Sequence, residues 1–236
     1  MNKPKVIVFD LFATLINDRR FNFVDGLVFL HEEVLDHPGS LVEFLAYADT
    51  HWKTKYDARD IDHHEISFEE ELIDFKEKFG FKVDWSLDEI QFLVLKAMND
   101  LDVFEDTIDV LAKLKQQNIS LFLLSNSIFS RRVMSRFLDS LGIRHFFHEV
   151  FFSADYGVRK PHQGFYLPLV ERIRHDDPLI DLKDVWFIGD NYLADVIGAT
   201  EADLTPIWIN RKYDSKRNVL AVQEIASLSE LLDLIQ

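Results

Sequence analysis

A run of four apolar residues ends on an acid at Val6-Ile7-Val8-Phe9-Asp10, and no other stretch limits the possible folds of the chain so strongly. Apolar residues without period-two alternation describe a strand buried on both faces, as in the interior of a parallel sheet. The carboxylate then sits at the carboxyl end of the strand, where open α/β sheets place their ligands. Two further runs follow the same plan. Ile119-Ser120-Leu121-Phe122-Leu123-Leu124 opens into Ser125-Asn126-Ser127, and Val185-Trp186-Phe187-Ile188 opens into Gly189-Asp190. Strands that release polar groups at the same end predict a site on that edge of the sheet.

Residues 5–10 are the first strand, with a loop to about Asn17. From about Phe21 to Leu101 the strand signal gives way to helical periodicity. One helix is expected over Asp25–Leu35, stopping before Pro38, and a second runs from Ser40 to about Tyr56 with Phe44, Leu45, Ala48 and Trp52 on one face. Ser67-Phe68-Glu69-Glu70 and Ser86-Leu87-Asp88-Glu89 are capping-box patterns that open two more, the first closed by Gly80. Helices and strands then alternate. Helices are expected at Glu105–Gln117, Phe129–Leu141, Gly164–Arg174, 192–201 and Ser229–Ile235. Strands are expected at 119–124, Val150–Phe152, 184–188 and Thr205–Ile209. Such alternation predicts parallel strands joined by right-handed crossovers. The expected fold is α/β: a doubly wound parallel-sheet core (1–16 and 102–236) with an inserted α-helical bundle (17–101) that caps the carboxyl edge.

Composition narrows the function. Asp and Glu number 41 against 26 Lys and Arg, a net charge of −15, and such a surface repels phosphate backbones; no nucleic-acid partner is expected. There is no cysteine, which removes disulfides, thiolate metal sites and a cysteine nucleophile. No apolar stretch approaches the ~20 residues of a membrane helix. The expectation is a cytoplasmic monomer or homodimer that acts on a small molecule, with no membrane partner.

The acids carry the chemistry. Gly189-Asp190-Asn191-Tyr192-Leu193-Ala194-Asp195 puts one carboxylate at a strand end and another about a turn into the next helix. Gathered with Asp10, these like charges repel unless a cation neutralises them. Oxygen-only ligands select a hard ion, and a sparse set fits Mg²⁺ better than Ca²⁺. The simpler alternative is that each acid merely caps its helix or turn. Ser125, Asn126 and Ser127 supply donors beside a helix N-terminus, where anions bind. Lys160, between Gly157 and Pro161, is a cation that holds anions as a point charge.

The order Asp10…Thr14, Ser125, Lys160-Pro161, Gly189-Asp190…Asp195 resembles the four motifs of the haloacid dehalogenase superfamily. The helical insert is similar to its four-helix, C1-type cap, and the sheet to its Rossmann-like core. The resemblance implies that Asp10 is a nucleophile forming an aspartyl intermediate, with Ser125 and Lys160 completing the catalytic set. It further implies Mg²⁺ held by Asp10, Asp190, Asp195 and the backbone carbonyl of Phe12. Thr14, Ser125, Asn126 and Lys160 would bind a small phosphorylated metabolite.

The chain departs from that pattern at Phe12. Phosphatases of the superfamily carry an aspartate two residues after the nucleophile, and phenylalanine neither protonates a leaving oxygen nor activates water. Ala13 also replaces the usual glycine of this turn. Two alternatives follow. An aromatic residue at Phe12 with Ser125-Asn126 resembles the metal-independent 2-haloacid dehalogenases of the superfamily, which place a cap arginine on the substrate carboxylate; Arg19 or Arg20 would be the candidate. Loss of the general acid also fits a weakly catalytic protein that binds Mg²⁺ and a phosphorylated ligand. His63-His64 and His145/His148 lack a third ligand in register and read as structural, and Lys212–Arg217 reads as a solvated loop.

Overall fold

A computed structural model describes residues 3–36, 39–211, 220 and 222–235; the expected loop Lys212–Arg217 and the stop at Pro38 lie outside them. Strand β1 (Val6–Phe9) is buried at every position. Ile7 and Phe9 enter one apolar core and Val6 and Val8 the other, so the strand has no face left for polar residues. The same division places Leu121 and Leu123 opposite Phe122 and Leu124, and Trp186 and Ile188 opposite Val185 and Phe187.

β2 (Ile16–Phe21) follows and pairs antiparallel with β3 (Asn99–Val103). This ribbon brackets α1 (Phe23–Phe29), α2 (Leu41–Asp62), α3 (Phe68–Phe79) and α4 (Leu87–Met98). Neither strand was expected. Asn17, Asp18, Arg19 and Arg20 give β2 no apolar alternation, and pairing with β3 rather than burial holds it. The first helix starts earlier than expected because Asn22 caps it, accepting from Val24 N at 3.0 Å; a π-helical turn, Leu30–Val34, continues it. α2 runs past Tyr56 until His63 turns left-handed at φ 58°. Ser86 caps α4 by accepting from Glu89 N at 3.3 Å. Ser67 makes no such bond; the first amide of α3, Phe68 N, donates instead to Ile128 O at 2.9 Å.

The remaining elements alternate. They are α5 (Thr107–Gln116), β4 (Ser120–Ser125), α6 (Arg131–Ser140), β5 (Glu149–Phe152), α7 (Gln163–Asp176), β6 (Val185–Gly189), α8 (Gly198–Glu201), β7 (Thr205–Ile209), β8 (Gln223–Ile225) and α9 (Leu228–Asp233). The helix expected over 192–201 begins as a π-helical turn, Tyr192–Ile197, and is α-helical only in α8. β8 is short, opens on Gln223-Glu224, and carried no apolar signal. The sheet order is β5-β4-β1-β6-β7-β8, with every pair parallel. The chain winds outward from β1 in both directions, so the crevice above β1, β4 and β6 is the topological switch point, where such sheets bind ligands.

The insert touches the core away from the ribbon as well. Glu65 N donates to Gly157 O at 3.0 Å and Arg159 N to His63 O at 2.9 Å, so the segment after α2 is bonded to the loop that carries Lys160. Among the described residues, no helix is long and apolar enough to cross a membrane.

Candidate active site

Register aligns Phe9 with Leu123 on one side and with Ile188 on the other, so Asp10 stands one residue short of the level of Ser125 and Asp190 at the ends of the flanking strands. Neighbouring parallel strands are about 4.8 Å apart, so side chains at these ends meet. Lys160 lies between them, 3% exposed. Its Nζ donates to Asp10 Oδ1 at 2.8 Å and to Asp195 Oδ1 at 2.6 Å. Ser125 Oγ donates to the same Asp10 oxygen at 3.2 Å, and Thr14 Oγ1 to Asp10 Oδ2 at 3.3 Å. Asn126 spends both ends of its amide on Lys160: Oδ1 accepts from Lys160 N at 2.8 Å and Nδ2 donates to Lys160 O at 3.1 Å. The lysine is therefore fixed by its main chain before its charge is used.

Asp195 reaches the cluster because Gly189 has no side chain. A Cβ at residue 189 would lie 2.3 Å from Asp195 Cγ, an impossible approach. Asn191 N donates to Asp195 Oδ2 at 2.9 Å, while the Asn191 side chain caps the following turn at Leu193 N and Ala194 N. Asp190 is held through its main chain, its carbonyl accepting from Trp208 Nε1 at 2.9 Å.

Ligand oxygens of Asp10, Asp190 and Asp195 all lie within 4.8 Å of one another. Burial, then the Asp10 and Asp195 charges, push the Asp190 carboxyl up to about 8. Burial likewise raises Asp195, to about 6, against the opposing pull of Lys160. For Lys160 burial disfavours the ammonium, but the facing carboxylates more than reverse this and hold it above its usual value. One ammonium thus leaves the acids short of positive charge, and the all-oxygen donor set suits a hard divalent cation.

A second acid cluster, His51, Glu71 and Asp74, bridges α2 and α3 and had no sequence signal. Lys55 Nζ occupies it, 2.7 Å from Glu71 and 2.9 Å from Asp74. Among His63, His64, His145 and His148 no such cluster forms within the described residues. Arg19 and Arg20 are exposed and pair with Asp102 and Asp25 on the surface.

A cavity of about 950 Å³ opens at Asp190, lined among others by Phe12, Asn126, Tyr56, Arg59 and Arg159. Thr14 and Ser125 are fully buried. The loop after β1 turns through Ala13 at φ 58°, a conformation that glycine adopts more readily. Arg211 braces it, donating to Thr14 O from Nη2 at 3.1 Å and to Asp106 Oδ1 at 2.9 Å. The sequence reading missed Arg59, Glu65, Arg159 and Arg211; lone charges in helices and loops give no pattern that points to a site.

The sequence model described as haloacid dehalogenase-like hydrolase matches residues 4–203. The HAD-hydrolase YfnB of Bacillus subtilis is 30% identical over 162 residues, covering 67% of this chain and 64% of that protein. A glyceraldehyde 3-phosphate phosphatase of Methanopyrus kandleri is 29% identical over 141 residues, covering 58% of each chain. The matches thus span about three fifths of these relatives' own length. The crystal structure of 2-haloacid dehalogenase from Pseudomonas syringae pv. tomato shares the fold at a TM-score of 0.67, with 22% identity and 100% and 98% of the two chains covered.

Proposed function

The chain belongs to the haloacid dehalogenase-like hydrolases, and within that family we propose that it is a Mg²⁺-dependent phosphatase acting on a small phosphorylated metabolite. The observation that carries this reading is the set of Asp10, Asp190 and Asp195 gathered around a single ammonium, Lys160. A charge deficit of this kind favours a dication, and the phosphatase named among the relatives is consistent with it. Asp10, Asp190, Asp195 and the main-chain carbonyl of Phe12 would hold Mg²⁺, which supplies charge neutralisation to the carboxylates and to phosphoryl oxygens.

The chain's own groups then act as follows. An Asp10 oxygen forms the new bond to phosphorus as the bond from phosphorus to the leaving oxygen breaks, giving an aspartyl phosphate. Lys160 and Ser125, already on Asp10, bind the transferred phosphoryl oxygens and stabilise charge there. Water then attacks phosphorus, releasing phosphate and restoring the Asp10 carboxylate. Thr14, donating to Asp10 Oδ2, fixes the orientation of Asp10. Phe12 donates no proton, so the leaving oxygen draws one from water. Aryl and acyl phosphates, whose leaving groups need it least, are the favoured substrates.

The test is hydrolysis of p-nitrophenyl phosphate with Mg²⁺ and with EDTA. Metal-dependent release of phosphate is expected, and activity indifferent to EDTA overturns the reading. The pairing of Phe12 with Ser125-Asn126 favours a second reading, metal-independent dehalogenation of 2-haloacids. Halide release measured in parallel decides between them, and its absence under all conditions eliminates the second.

Phe12→Asp is expected to raise kcat on alkyl phosphates by up to ~10²-fold and on aryl phosphates much less, since general acid help is worth ~10²–10⁴. An equal response from both substrate types would show that proton supply is not what limits turnover.

The metal-free protein carries a pH signature. The Asp190 and Asp195 carboxyls titrate at about 8 and about 6 when folded, above the ordinary 3.8. The folded state therefore binds more protons than the unfolded state, and stability falls as pH rises from about 4 to about 8, by on the order of a few kcal/mol. Mg²⁺ should restore most of that loss, with its largest effect at the alkaline end. Thermal unfolding at pH 5 and pH 8, with and without Mg²⁺, checks this; parallel curves would disprove it.

A further inference from the structure

Arg59 stands on the cavity wall and takes no part in the chemistry at Asp10. It lies in the last turn of α2 and is only 6% exposed. Its guanidinium stacks on the Tyr56 ring at 3.4 Å, and Nη1 donates to Glu65 Oε1 at 2.6 Å. Among the described residues that is its one hydrogen bond, and Nε is buried with no partner. A buried cation left partly unsatisfied is costly.

Glu65 does not make up the difference, because it is shared. Oε1 also accepts from Ile66 N at 3.1 Å, Oε2 accepts from Ser153 Oγ at 2.6 Å, and Arg159 Nε stands 3.9 Å from Oε2. Arg59 and Arg159 line the same cavity as Asn126 and Asp190. The cavity at Asp190 therefore has a guanidinium wall, stiffened by stacking and by a fully buried acid. Guanidinium forks match the planar oxygens of carboxylate and phosphate.

We propose that Arg59, with Arg159 beside it, forms a second anion subsite, and that the preferred substrates are phosphomonoesters with a second anionic group, a carboxylate or another phosphate, remote from the transferred phosphoryl. This rests on the phosphatase reading above. An Arg59–Glu65 pair that served only to hold the insert in place would not distinguish one phosphomonoester from another; a subsite does.

The experiment compares 3-phosphoglycerate (carboxylate tail), propane-1,3-diyl bisphosphate (phosphate tail) and glycerol 3-phosphate (neutral tail), with Mg²⁺. A KM at least ~10-fold lower for one anionic tail is expected, since hydrogen bonds to charged groups contribute about 1.5–3 kcal/mol. The arm that responds identifies the anion. The double variant Arg59→Met/Glu65→Gln removes both charges, so that neither is left buried alone. It should raise KM for the anionic-tailed substrate ~10-fold or more, leaving kcat and the neutral-tailed substrate within about 2-fold. Calorimetric binding of the same compounds to an Asp10→Asn protein gives a readout without turnover. Equal affinity for all tails, or a variant effect of the same size on all of them, overturns the subsite. Anionic preference in binding with no Mg²⁺-dependent hydrolysis of p-nitrophenyl phosphate overturns the phosphatase reading and upholds the subsite; hydrolysis with no preference does the reverse.

Discussion

Asp10→Asn is expected to lower kcat on an aryl phosphate by about 10⁴-fold or more while the protein stays folded. Loss of a covalent nucleophile removes the route itself rather than one contact along it, and single losses of that kind reach ~10⁶ in other enzymes. The fold has little reason to respond. An amide keeps the shape of the carboxylate and an oxygen to accept from Ser125 or Thr14. Lys160 retains its 2.6 Å bond to Asp195. Removing one of several crowded like charges should hold Tm steady or raise it at neutral pH. Substantial residual phosphatase activity in this variant would mean that Asp10 is not the nucleophile.

Lys160→Met is expected to be the most damaging single change to both stability and activity. It deletes the ammonium that touches Asp10 and Asp195 and leaves buried carboxylates facing one another. Breaking a buried ion pair from one side typically costs about 3–5 kcal/mol. The loss should be largest in EDTA at pH 8, where the acids ionise, and smaller at pH 5 or with Mg²⁺. Removing a positioned donor from a phosphoryl site should also cut kcat by about 10²–10³-fold. Chemical denaturation across those conditions reads the first effect. A loss of stability independent of pH and metal would point to lost packing rather than lost charge.

Much of this architecture was legible because it is written in unbroken apolar runs. β1, β4, β6 and β7 fall within a residue or so of where residues 5–10, 119–124, 184–188 and Thr205–Ile209 were expected as strands. Strands buried on both faces tolerate few polar residues, so their ends, and the acids there, stand out. The approach of Asp10, Asp190 and Asp195 was legible for the same reason. The ribbon β2–β3 was not, since Asn17 to Arg20 in one strand and Asn99, Asp100 and Asp102 in the other carry no alternation. Their pairing is a long-range fact, and bases such as Arg59 and Arg159 gain meaning only from what faces them. The departure at Phe12, in contrast, needed nothing but the sequence.

The bonds between residues 63–65 and 157–159 have a mechanical consequence. Any swing of the helical insert that separates Glu65 from Gly157 must either rupture those main-chain bonds or drag along the loop that ends in Lys160. The segment after α2 and the loop that seats Lys160 are thereby tethered, so strain placed on the first is carried to the second.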